Sequence, residues 1–187
     1  MEFLDLVASR HSVRDFLPDP IPEDVLREIL EAGRLAPSAQ NRQPWRYVVL
    51  SDNGQVKKLA LNCGLIGLSN IFIRSAPCLI VACADAGKNV RINHKDYYLV
   101  DTAISLQQMV LAAWNRGIGS CWLAAFSEKA VKKYLRLPAK WQVVALLPLG
   151  YPAEKKTMYT KALSTFPRSQ DRLPLEKIVT YFDKDDM

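Results

Sequence analysis

Apolar positions along the chain change their period several times, and each change predicts an element. Residues 2–9 read as a short opening helix, after which Ser12 to Pro20 is extended and broken by Pro18 and Pro20. Pro22 with Glu23 and Asp24 behind it starts a second helix, whose Val25, Leu26, Ile29, Leu30 and Ala32 face inward until Gly33 to Pro37 stops it. Tyr47–Leu50 predicts a strand, Asn53–Asn62 a helix and Cys78–Ala84 a buried strand of continuous apolar type, while residues 64–75 fit neither period. From Tyr97 to Trp114, Leu99, Ala103, Leu106, Val110 and Ala113 keep helical spacing, and Ile104, Met109 and Leu111 make other faces apolar too. Such a helix belongs in a core or a dimer interface. Gly117–Trp122 predicts a turn into a short strand, and Ser127 with Glu128 a helix ending before Pro138. Val143–Leu149 predicts a strongly apolar strand ended by Gly150-Tyr151-Pro152, and Ile178–Phe182 a last strand, with no clear period from Ala153 to Asp171. No repeat or linker interrupts this order, so one α+β domain over residues 1–187 is expected.

Two polar clusters interrupt the pattern. Arg10-His11-Ser12-Val13-Arg14 offers two guanidiniums and a hydroxyl within five residues, donors suited to gripping a phosphate. Pro37-Ser38-Ala39-Gln40-Asn41-Arg42-Gln43-Pro44-Trp45-Arg46 presents side-chain amides beside a stiff Pro-Trp pair. Each has a plainer reading: solvated arginines for the first, a helix-stop loop for the second, and core aromatics for Trp45 and Trp122.

Composition narrows the classes. At 187 residues, 49% hydrophobic and 24% charged, the chain can bury a full core. Its net charge of +6 is spread along the chain with no basic run of five or more, so an anionic small molecule accounts for it as well as nucleic acid does. Cys63, Cys78, Cys83 and Cys121 form no C-x-x-C pair, and with only His11 and His94 beside them they read as reduced, mostly buried thiols rather than a zinc site. The absence of any apolar run of about 18 residues and of a signal-like start leads us to expect a cytoplasmic protein without membrane spans. Gly117-x-Gly119 lacks the third glycine of a dinucleotide fingerprint and follows a helix rather than a strand, so any nicotinamide nucleotide has to use another site transiently.

Taken in order, the two clusters resemble the nitroreductase family of FMN-dependent oxidoreductases, whose pattern reads R-x-S-x-R/K and, one helix later, P-S-x-x-N-x-Q-P-W. The likeness continues through Asp101 at the head of the long helix, Gly117-x-Gly119-x-x-Trp122, Leu149-Gly150-Tyr151-Pro152 and Arg172-Leu173-Pro174-Leu175-Glu176, the last departing from the family's Arg-Lys before that proline. The resemblance implies a nitroreductase-like fold with a central mixed or antiparallel sheet flanked by helices, in an intertwined homodimer with the active site at the subunit interface. It implies FMN as cofactor, NADH or NADPH as transient donor, a small organic acceptor such as a nitroaromatic or quinone, and ping-pong transfer through the flavin N5. Arg10 and Ser12, with Arg172 on the other side, are then the expected phosphate contacts, and Arg14 lies near the pyrimidine edge. His11 contributes through its backbone. Pro37, Ser38, Ala39, Asn41 and Gln43 reach the flavin of the second subunit, and Trp122, Leu123, Ala124 and Ala125 lie along the ring. No side chain is expected to act as nucleophile or essential acid, and Asp101 is assigned no chemistry, either facing solvent or capping local structure. Lys88, Arg91, His94 and Lys95 suggest a basic lid for an anionic or small acceptor. The alternatives are a flavin-binding or sensing protein without nicotinamide turnover and, more remotely, a basic nucleic-acid-binding domain.

Overall fold

The computed structural model describes residues 2–63, 68–154 and 171–182. Its helices are α1 (Phe3–Ser9), α2 (Glu23–Arg34), α3 (Asn53–Asn62), α4 (Tyr97–Asn115) and α5 (Glu128–Leu135). Its strands are β1 (Trp45–Leu50), β2 (Cys78–Asp85), β3 (Arg91–Ile92), β4 (Lys95–Asp96), β5 (Gly119–Ser120) and β6 (Trp141–Gly150). The main sheet runs β1-β2-β6-β5 with every ladder antiparallel, and β3 and β4 form a separate hairpin. The expected parallel component is confined to one bridge, Ser12 to Ser120, at the sheet's edge.

Strand β2 is buried at every position, because its alternate residues face two different apolar layers. Leu79, Val81 and Cys83 join a cluster with Val56 and Leu59 of α3 and Val131 of α5. Cys78, Ile80 and Ala82 join another with Ile29 of α2 and Leu106, Met109 and Ala113 of α4. On β6 the same alternation carries a slip: Ala82 pairs with Ala145 but Cys83 with Val143, leaving Val144 as the extra residue of a bulge. The bulge explains why Val143 and Leu146, which differ in parity, reach the same layer.

The helices begin where their caps stand. Asp52 accepts from the Gln55 amide (3.0 Å) ahead of α3, and Ser127 from the Ala130 amide (3.3 Å) ahead of α5. Strand β1 starts two residues earlier than the apolar pattern suggests, since Trp45 and Arg46 pair with Ala84 and Cys83. Leu68–Ser75 forms 3-10 turns, and residues 64–67 lie outside the described residues, as does most of the aperiodic stretch from Ala153 to Asp171.

One expected strand is absent. Residues 178–182 form none, and the regular structure nearby is the 3-10 turn Leu175–Lys177. The β-branched pair Ile178-Val179 prompted the expectation, yet strand preference reflects fit to a pleated, half-buried surface, and every residue of 171–182 is exposed.

Two glycines are set by close approach. A Cβ on Gly119 would sit 2.6 Å from Val13 Cγ2 and 2.7 Å from Val13 Cβ, and one on Gly150 would sit 2.6 Å from Pro77 Cδ. Val13 is buried and its amide donates to the Ser120 carbonyl (2.9 Å), so it cannot back away. Gly119→Ala should therefore cost about 1–3 kcal/mol through overpacking. Equilibrium urea unfolding measures it, and an unchanged midpoint would contradict the close approach.

All four cysteines are buried and unpaired. Burial pushes the Cys78 and Cys83 thiols from an ordinary 9.0 up to about 12, and the Tyr47 phenol from 10.0 up to about 12. These groups ionise in the unfolded chain before they do in the folded one. Their contribution is thus complete below about pH 9 and lost as pH rises toward about 12. Denaturation midpoints should fall across that window, and a thiol reagent at pH 8 should find the native protein silent until it is unfolded. Rapid native labelling at any cysteine would show the burial to be wrong.

Candidate functional site

The two polar clusters lie at opposite ends of the main sheet. The first runs along the edge beyond β5: Ser12 bridges Ser120, which pairs with Leu149 near the C-terminal end of β6. The second sits where β1 begins, with the Pro44 carbonyl accepting from Asp85 (2.8 Å) and Ala84 paired to Gln142 at the start of β6. Gln142 and Leu149 are separated along β6 by roughly 23 Å at about 3.3 Å per residue.

The first cluster passes beside Ser120 and Cys121 through the Ser12–Ser120 bridge. Cys121 is buried there; burial raises its thiol pKa, while Arg14, the Ser12 hydroxyl and Arg10 each pull it down, in that order of effect. Along this edge Ser12 is exposed and Arg10 and Arg14 are half-buried, a donor set whose chemistry suits the dianionic phosphate and ring edge of FMN. The His11 ring turns elsewhere. Its Nδ1 is 3.1 Å from the Ser9 carbonyl, and it packs edge-on against Trp114 with centroids 4.7 Å apart, leaving the backbone to follow the cluster.

An irregular segment follows β5, joined to the sheet through an isolated bridge at Leu123. Leu123 exchanges both backbone hydrogen bonds with Leu146 at 3.0 Å, so its own amide is engaged within the sheet. Trp122, Ala124 and Ala125 flank it on exposed positions. Trp45 is a core aromatic, 6% exposed, whereas Trp122 is 37% exposed.

At the other end, residues 38–43 form a tight polar loop. Gln40, Asn41 and Gln43 all have positive φ (51°, 53° and 48°), although none is glycine. Left-handed backbone at such residues costs on the order of 1–2 kcal/mol each and has to be held. The Ser38 Oγ accepts from the Gln43 amide (2.9 Å), the Ser38 carbonyl from the Asn41 amide (2.9 Å), and the Asn41 Oδ1 from the Gln43 side-chain amide (2.9 Å). Pro37 is exposed ahead of them.

Asp101 is the residue that the sequence reading left without a role. It lies on the inner face of α4, 3% exposed, and its Oδ1 accepts from the Ala39 amide at 2.9 Å. The signal for it was the one acid within α4, at a position that the helical spacing carries to the buried side, where a polar group needs a partner.

Arg172 is not brought to either cluster by any described contact. It is exposed, and its Nη1 donates to the carbonyl of its neighbour Asp171 (2.9 Å). Of the basic residues expected there, Arg91, His94 and Lys95 lie within the β3–β4 hairpin and Lys88 just before it; the turn residues Asn93 and His94 also have positive φ. Arg91 lies 3.7 Å from Asp96, and the hairpin leads directly into α4.

Exposed large apolar side chains include Phe3 and Leu4 of α1, Val100 and Ile104 of α4, and Tyr181 and Phe182 of the tail. No helix among the described residues is long and apolar enough to cross a membrane.

Comparison with known proteins places these features in one group. The nitroreductase family's sequence model matches residues 7–63 and 66–151. An NADH dehydrogenase of Thermus thermophilus is 31% identical, with 92% of each chain covered. A nitroreductase family protein of Clostridium novyi NT is 34% identical over 84% of this chain and 90% of its own, with a TM-score of 0.77. An FMN-dependent nitroreductase of Clostridium difficile R20291 is 26% identical over 91% of this chain and 98% of its own, with a TM-score of 0.73. With both polar clusters and the sheet between them inside the matched segments, the chain belongs to the nitroreductase family and is an oxidoreductase.

Proposed function

We propose that the protein binds FMN and, as a homodimer, passes electrons from NADH or NADPH to an organic acceptor such as a nitroaromatic or quinone. The observation that carries this reading is the placement of the Arg10–Arg14 segment along the sheet edge, fixed by the Ser12–Ser120 bridge and by the Val13 amide donating to the Ser120 carbonyl. Bound there, the flavin would supply hydride acceptance and release, so that donor and acceptor take turns in one pocket with ping-pong kinetics. Arg10 and Ser12 neutralise and orient the phosphate. Arg14 stands at the pyrimidine edge, where a fixed cation favours the negatively charged reduced ring. Trp122, Ala124 and Ala125 border the ring, with Leu123 locking their segment to the sheet. The Cys121 thiol, held protonated by burial, serves as packing beneath the arginines and not as a nucleophile.

The separation of the clusters supports the homodimer. Pro37, Ser38, Ala39, Asn41 and Gln43 stand at the far end of the sheet from Arg10 to Arg14, so one flavin is reached by both sets more readily from two subunits than from one. The exposed apolar residues of α1, α4 and the tail are the kind of surface that a second copy covers. Arg172 belongs to that exposed tail, and in this reading it closes on the phosphate only when the tail is seated.

Purified protein supplied with FMN should be yellow, and its flavin absorbance should bleach on anaerobic addition of NADH or NADPH and return with a nitroaromatic or quinone. Protein that takes up no FMN would overturn this reading. Bound flavin that neither nucleotide bleaches would favour a sensing role instead.

Arg10→Ala should weaken FMN affinity about 10- to 100-fold, the effect of losing a charge-assisted hydrogen bond, whereas Lys133→Ala on the exposed side of α5 should leave it unchanged. Fluorescence titration of FMN into both variants measures this. Equal affinities would contradict the phosphate clamp.

A further inference from the structure

We infer that Asp101 is the positioning residue that sets the Ser38–Asn41 loop for the flavin, so that the seat of α4 governs the shape of that loop. The inference rests on the FMN reading above. The loop's internal hydrogen bonds, Asn41 to Ser38, Arg42 to Ala39 and Gln43 to Ser38, tie it only to itself. They close the turn without fixing where the turn stands. Asp101 supplies a bond of a different kind: its acceptor comes from the interior of a 19-residue helix, 62 positions along the chain, and meets the one amide at the head of the turn.

Burying a carboxylate is costly, and the cost is offset only where it receives strong hydrogen bonds. An apolar residue would fill the same space on α4 without that penalty, as Leu106 and Met109 do farther along the helix. What the carboxylate adds is a fixed point for Ala39. Three left-handed residues follow within four positions, and conformations of that sort persist only when their surroundings hold them. Without the anchor the loop relaxes toward ordinary backbone angles, and the groups of Ser38, Ala39 and Asn41 leave the positions a flavin would meet.

The same helix connects this anchor to subunit association. Val100 and Ile104, neighbours of Asp101 on α4, are exposed and apolar and form part of the surface that the second copy covers, while Asp101 points inward to the loop. Burial of one face of α4 by a partner thereby steadies the carboxylate on the other.

The test compares the full-length protein with Asp101→Asn, Asp101→Ala and Asp101→Leu. Two quantities are read: FMN affinity by fluorescence, and hydrogen exchange at the Ala39 amide without FMN. Asn keeps an oxygen acceptor at the same place and should stay within about 3-fold of the parent in both. Ala and Leu remove the acceptor and should weaken FMN affinity by about 10-fold or more while speeding Ala39 exchange. Leu fills the volume without a buried charge, so it preserves folding if Ala does not. Thermal midpoints of the Leu variant near the parent's would separate positioning from general destabilisation. Unchanged FMN affinity in the folded Leu variant would overturn the inference, as would unchanged Ala39 exchange. A parent protein that takes up no FMN would instead overturn the flavin reading, a result distinguishable from the other two.

Discussion

The pairing of β2 with β6 is the constraint from which the rest of the molecule follows. Both strands are apolar on both faces over most of their length, so there their peptide groups have little access to water and must satisfy one another across the ladder. Two faces then need covering. The layer of α3 and α5 takes one and the pair α2 and α4 the other, and the bulge at Val144 lets β6 serve both without leaving the ladder. Polar chemistry is excluded from the middle of such a sheet. It is left to the ends and the edge, which is where both clusters lie.

Those locations are held by different means. The arginine cluster is held by backbone: Val13 donates to Ser120, and the Leu17 amide donates to the Tyr151 carbonyl (2.8 Å), with Gly119 small enough to let Val13 pass. The far loop is closed by its own hydrogen bonds, Ser38 Oγ among the acceptors, and tied to α4 by Asp101, against an unfavourable backbone. A segment placed by ladder bonds tolerates changes in its own side chains. A segment placed through one buried side chain does not.

Much of this was legible in the sequence because it depends on local rules. The Ser127 start of α5, the proline before Glu23 and the continuous apolar run of β2 each announce an element within a few residues. The order of the two clusters was legible too, through its likeness to a family. Asp101 was not, since its partner lies on another element and no short-range pattern links an acid on one helix to an amide in a distant turn. The tail misled for a related reason. Ile178 and Val179 have the character of strand residues, but a strand exists only when another edge receives it. Leu123 shows a third limit, because its place in the likeness said nothing of its amide already being engaged by Leu146.

The placement of the two clusters at opposite ends of the sheet bears on how damage would be inherited. On the proposed reading each flavin draws its arginines from one subunit and its polar loop from the other. A chain crippled in the arginine cluster and a chain crippled in the loop would then be harmless to each other in one respect: in a mixed dimer, one site collects both lesions and the other collects none. Two inactive alleles would complement, each rescuing half of what the other lost.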